Sequence, residues 1–128
     1  MAEPRYAGFL PGIHLIEGYG SGGFRFGGMS HRGSILALPS GIRAWPVTKP
    51  EEIGLATLAL LFEEEQGAIG HLLIGTGTGL LPLKSALREE LRARGILAEP
   101  MATGAAARTY NILIGENRRV AAALLAVD

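Results

Sequence analysis

Residues 101–128 read MATGAAARTYNILIGENRRVAAALLAVD, and this stretch decides the fold. Ala106, Tyr110 and Leu113 recur at i, i+4 and i+7, the spacing of a helix stripe that faces a core, so a helix is predicted over 103–116. Glu116, Arg118 and Arg119 mark a solvated turn, and the apolar run at 120–127 follows as a strand. Upstream, 96–101 reads as another strand. It is preceded by the cleanest amphipathic helix in the chain, which starts near Pro82, carries Leu83, Leu87 and Leu91 on one face with Ala86 beside them, and stops at Gly95. A short apolar strand at 71–74 leads into that helix through Gly75-Thr76-Gly77-Thr78-Gly79. The second half is therefore a β-α-β-α-β unit, which predicts a sheet with helices packed on it.

Working toward the N-terminus, Thr48-Lys49-Pro50-Glu51 has threonine three residues before glutamate and a proline suited to a first helical turn, so a helix is predicted over 48–64. Its apolar residues Ile53, Leu55, Leu58, Leu60, Leu61 and Phe62 spread round more than one face, as in a helix covered on both sides. Before it, short apolar runs alternate with turn signals. Strands are expected at 13–17, at Phe24 and Phe26 about Arg25, at 34–38 and at 42–47, with the cluster at 20–23 and Leu38-Pro39-Ser40-Gly41 as reversals. The expectation is a single three-layer α/β domain over 13–128, with a central mixed β-sheet flanked by helices, additional N-terminal strands and the C-terminal β-α-β-α-β unit. Residues 1–12 read as an N-terminal extension.

Composition narrows the function. Twelve basic and twelve acidic residues give a formal charge of zero, which removes the long-range attraction on which a nucleic-acid binder relies. There is no cysteine, hence no disulfide, thiolate metal site or cysteine nucleophile. The opening MAEPRYAGFLPG is neither a signal nor a transit peptide, and no apolar run approaches the roughly 20 residues of a membrane span, so a cytoplasmic protein without membrane insertion is expected.

No reactive constellation emerges. A nucleophile elbow on Ser30 fails at Arg32, and one on Ser21 fails at Tyr19. His14, His31 and His71 are scattered, and Glu63, Glu64 and Glu65 read as a solvated helix end, so no catalytic residue, metal site or cofactor is assigned. The loop at 75–79 misses the dinucleotide pattern at Leu80 and the P-loop pattern at Leu83. The entrance of the 103–116 helix is more distinctive. Gly104, Ala105, Ala106 and Ala107 leave its first turn without bulky side chains, and no acidic residue closes a capping box, so its N–H groups and Arg108 can approach an anion. Two readings stand: a ligand or partner site built from Thr76, Gly77, Thr103, Gly104 and Arg108 with Asn111 nearby, or small residues that let the helix pack closely on the sheet. Trp45, at a strand end, and Arg25 are candidate interface residues. Lys84, Arg88 and Arg92 repeat every four residues as a basic strip interrupted by Glu89 and Glu90, a solvated face.

Several ordered segments carry a resemblance: Tyr19-Gly20 with Gly22-Gly23-Phe24, Gly33 to Leu36, Trp45-Pro46, Leu73 to Gly77, Met101 to Thr103, and Arg108-Thr109-Tyr110-Asn111 followed by Glu116, Arg118 and Val120 to Leu124. Together they resemble a small domain-of-unknown-function family that includes a mitochondrial assembly factor for respiratory complex I and an adipogenesis-associated protein. The resemblance implies a three-layer α/β domain about a mixed sheet and no known catalytic mechanism. It implies a non-enzymatic interaction protein whose partner belongs to the assembly of a membrane complex. The alternative is a binder or enzyme for a small anion or metabolite at the Thr103 helix.

Overall fold

The computed structural model describes residues 8–128. The strands are β1 (Phe9–Pro11), β2 (Gly18–Gly20), β3 (Gly23–Phe26), β4 (Met29–Arg32), β5 (Ser34–Leu38), β6 (Gly41–Trp45), β7 (His71–Gly75), β8 (Leu97–Met101) and β9 (Val120–Leu124). Helix α1 (Ser85–Ala93) joins β7 to β8, and α2 (Thr103–Gly115) joins β8 to β9. Six strands form one mixed sheet in the order β1-β6-β5-β9-β7-β8, and β2-β3-β4 form a second, antiparallel sheet. Pairing is parallel for β7 with β8 and with β9, and antiparallel where β5 meets β9 and β6.

The layers follow from the crossovers. From β7 to β8 the chain steps one way along the sheet, and from β8 to β9 it steps back past β7. Right-handed crossovers in opposite directions place their helices on opposite faces. The side chains agree. Leu72 and Ile74 point into one core with Leu87 and Leu91 of α1, whereas Leu73, between them, points into the other with Ala106, Ala107 and Tyr110 of α2. Phe24 and Phe26 of the small sheet cover that second core. Both faces of the central strands are dry, which is why β7 and β9 are apolar at nearly every position. The alanines Ala121, Ala122 and Ala123 of β9 are fully buried and leave room for the second layer on each side.

Three expectations are corrected. Residues 13–17 are not a strand; they run between β1 and β2 as irregular chain, and β1, inside the expected extension, pairs with β6. Residues 1–7 of that extension lie outside the described residues. Strand β4 adds a third strand that sequence alternation does not mark, because Met29-Ser30-His31-Arg32 shows little apolar alternation; its pairing with β3 brings it into the sheet. The helix at 48–64 is replaced by 3-10 turns at Pro50–Glu52 and Ala59–Glu63. Thr57 explains the break: its hydroxyl lies 2.8 Å from the Glu52 carbonyl and accepts the Gly54 N–H at 2.9 Å, competing with a helical ladder. Two short turns aim apolar side chains at the sheet from irregular backbone, so Leu58 and Leu61 are buried and Leu55, Leu60 and Phe62 pack beside them without a helical stripe.

The capping carboxylate of this segment is Glu52, not Glu51. Its Oε1 accepts the N–H groups of Thr48 at 2.8 Å and Lys49 at 3.0 Å and the Thr48 hydroxyl at 3.1 Å. The Thr48 amide, then the Lys49 amide, hold this carboxyl below the usual carboxylate range. A depressed folded value means that the stabilisation is complete above the unfolded value and is lost as pH falls through the folded one. Glu52→Gln is expected to flatten the fall in melting temperature below about pH 4.5. Thermal melts across that range check it; an unchanged acid limb would show that Glu52 is not the responsible group.

Candidate functional site

Strands β7 and β8 are parallel neighbours whose following helices lie on opposite faces, and at such a point open α/β sheets commonly form a ligand crevice beyond the strand ends. Here the chain closes it. The Thr76 N–H donates to the Met101 carbonyl at 2.8 Å, and the Thr103 N–H donates to the Gly77 carbonyl at 2.8 Å. The Gly77 N–H donates to Thr103 Oγ1 at 3.1 Å, and the same hydroxyl donates to the Leu125 carbonyl at 2.8 Å. The Thr76 hydroxyl lies 2.7 Å from the Gly79 carbonyl and accepts the Leu81 N–H at 3.0 Å. Gly75 permits the approach, since a Cβ there would press on Thr103 Oγ1 at 2.9 Å and Cα at 3.0 Å. Thr76, Gly77 and Thr103, expected to face an anion, face one another, and Thr103 is 0% exposed.

Thr103 and Arg108 also do not converge. Thr76 and Gly77 line a groove with Thr48 and residues 125–128, but neither Thr103 nor Arg108 reaches it, and Asp128 brings a carboxylate instead. Gly104 lies beneath Tyr19 of β2, where any side chain on Gly104 would collide with the ring and hydroxyl. Arg108 is exposed and its Nη1 donates to the Tyr19 hydroxyl at 3.0 Å. The small residues at the helix entrance thus serve close packing, with an aromatic ring laid over the first turn.

Asn111 acts on the chain before β2. Its side-chain oxygen accepts the Ile16 N–H at 2.8 Å and its amide donates to the Ile16 carbonyl at 2.9 Å, so one side chain satisfies both backbone groups of a residue outside any strand. Ile16 is buried by this attachment and Leu15 is turned outward. Ile112, next to Asn111 and one turn beyond Arg108, is 61% exposed. At the surface the Tyr19–Arg108 pair therefore stands with Ile112 one turn further along α2, and Leu15 is exposed on the chain that Asn111 holds. The sequence signal was Ile112, an apolar residue lying off the Ala106, Tyr110 and Leu113 stripe.

Trp45 is corrected as an interface candidate. It is buried, with its indole N–H donating to the Thr57 carbonyl at 2.7 Å, which ties β6 to the irregular segment on that face. Arg25 is exposed on the small sheet, donating to Ser30 Oγ at 3.2 Å across the β3–β4 pair. Among the described residues no three His, Asp or Glu side chains gather as metal ligands, and no helix is long and apolar enough to cross a membrane.

Residues 16–125 match the family described as "Protein of unknown function (DUF498/DUF598)". An uncharacterised protein of Rhodobacter capsulatus is 43% identical over 96% of this chain and 90% of its own length. NADH dehydrogenase [ubiquinone] 1 alpha subcomplex assembly factor 3 of Danio rerio is 35% identical over 87% of this chain, and the match spans only 63% of that protein. Among solved structures, one described as an outer membrane protein from Bartonella henselae superposes with a TM-score of 0.87 at 47% identity, covering 92% of this chain and 98% of that one.

Proposed function

The chain belongs to the DUF498/DUF598 family, and from that membership we propose that it is a non-enzymatic interaction protein that serves the assembly of a membrane-bound respiratory complex. The observation that carries the proposal is the exposed Tyr19–Arg108 pair, with Ile112 exposed one turn further along α2 and Leu15 exposed on the chain before β2. Aromatic and arginine side chains are enriched at the centre of protein interfaces, and tyrosine and arginine are among the residues that dominate binding there. The likeness to the Danio rerio assembly factor supports the choice of partner class, and a cytoplasmic location belongs to the same proposal. The closed crevice beside Thr103 supports protein binding over an anion at the α2 entrance, because the hydroxyls and the Gly77 amide there already have partners.

Affinity capture of the tagged full chain from detergent-solubilised cells is expected to recover subunits of an incompletely assembled membrane complex. Ile112→Asp and Arg108→Glu should each reduce recovery about tenfold or more, the effect of removing a hot spot worth at least about 1.4 kcal/mol. Both sites are exposed, so the melting temperature should hardly change. Capture of no specific subunit by folded protein, or undiminished capture by both variants, rejects the proposal.

A further inference from the structure

Tyr110 belongs to the core of α2, yet its hydroxyl has no hydrogen-bond partner among the described residues, although the residue is only 1% exposed. The other buried hydroxyls are treated differently: Ser34 accepts the Ala126 N–H, and Thr76 and Thr103 are bonded on both sides. A buried hydroxyl left unpaired is costly, and it is free to bond a polar group brought in by a ligand. Burial alone pushes the Tyr110 phenol up to about 12, as expected for a hydroxyl whose ionised form nothing stabilises.

Tyr110 lines a cavity of about 250 Å³ beside the C-terminal half of α2. Its wall is apolar, with Ile13, Pro39, Ala68, Ile114 and Val120. Asn117, Arg118 and Arg119 complete the lining, and no carboxylate contributes. Arg119 donates to the Gly67 carbonyl, whereas the Arg118 side chain is exposed and makes no ion pair or hydrogen bond among the described residues. An apolar cavity with a few polar groups at defined positions is the general form of a small-molecule site. One side of it is formed by Ile13, on the irregular chain that Asn111 holds at Ile16.

We infer that this cavity binds a small carboxylic acid with a short apolar body, Tyr110 bonding a ligand oxygen, Arg118 pairing with the carboxylate, and Ile13 and Ile114 covering the hydrocarbon. The inference does not depend on the protein-interaction surface, from which Ile13 and Arg118 are distinct. A buried hydroxyl supplies direction, and a guanidinium at the mouth supplies the preference for an anion.

The test is a titration of the full chain, followed by backbone amide NMR, with sodium benzoate, benzyl alcohol and inorganic phosphate at matched ionic strength. Benzoate is expected to give saturable shifts confined to 13–16 and 110–120, with a dissociation constant in the millimolar range or below and at least about tenfold tighter than benzyl alcohol. Phosphate should leave those amides unmoved. Arg118→Gln, a surface change, should weaken benzoate roughly tenfold at unchanged melting temperature. Tyr110→Phe should weaken it roughly fivefold while leaving the melting temperature equal or higher, because no internal bond is lost. The inference is overturned if benzoate gives no saturable shift, if both variants bind it as the parent chain does, or if Tyr110→Phe lowers the melting temperature and so reveals an internal partner for the hydroxyl.

Discussion

Phe26→Ala is expected to lower unfolding stability by about 3–5 kcal/mol, the cost of emptying a fully buried phenylalanine site. Phe26 is 0% exposed and lies where β3 of the small sheet closes the core shared with α2, beside Ile35, Ala37 and Tyr110. That core has the small sheet as its cover, so a void beneath β3 cannot be filled by a neighbouring layer without moving the sheet itself. Urea unfolding should show a lower midpoint at nearly unchanged slope. The melting temperature should fall by roughly 10–20 °C for a domain of this size. Phe26→Leu, which keeps most of the volume, should cost much less. A loss below about 1 kcal/mol for the alanine variant would mean that the small sheet packs too loosely to hold Tyr19 over Gly104.

Thr103→Val is expected to cost about 2–4 kcal/mol, since it keeps the shape of the side chain and removes a hydroxyl that serves two backbone groups. The Gly77 N–H would lose its acceptor and the Leu125 carbonyl its donor, at a site with no exposure to water. Thr103→Ser retains the hydroxyl and should recover most of the loss. Comparing the two by urea denaturation separates the hydrogen bonds from the methyl group. Equal losses in the two variants would mean that packing, not the paired hydroxyl, holds the loop after β7 to the start of α2.

The parts of the fold legible in the sequence are those whose periodicity the tertiary structure respects. Leu87 and Leu91 repeat on a helix and are buried on it, and Ala106 and Tyr110 do the same, so α1 and α2 are readable from spacing alone. The segment at 48–64 was not, because local hydrogen bonds from Thr57 and Glu52 outweigh a composition that suits a helix. Residues 13–17 have the alternation of a strand, but the backbone of Ile16 is satisfied by the Asn111 side chain from 95 residues away in sequence, a long-range partner that no local pattern contains. The same limit applies at the surface. Thr103 and Gly77 looked available as separate groups, and only the parallel register of β7 with β8 reveals that they are each other's partners.

The position of β9 bears on how the molecule is made. It lies between β5 and β7, so the antiparallel half built from residues 9–45 and the parallel pair β7 and β8 meet only through it. During synthesis, ribosomes release the chain from its N-terminus at about 5–20 residues per second. Two half-sheets, each with an unpaired edge of largely apolar strand, therefore wait for the last strand to arrive. Such edges are sites for wrong pairing with other chains. A nascent chain stopped before Val120 should accumulate as an aggregation-prone, protease-sensitive species, and one extended past Leu124 should become resistant in a single late step.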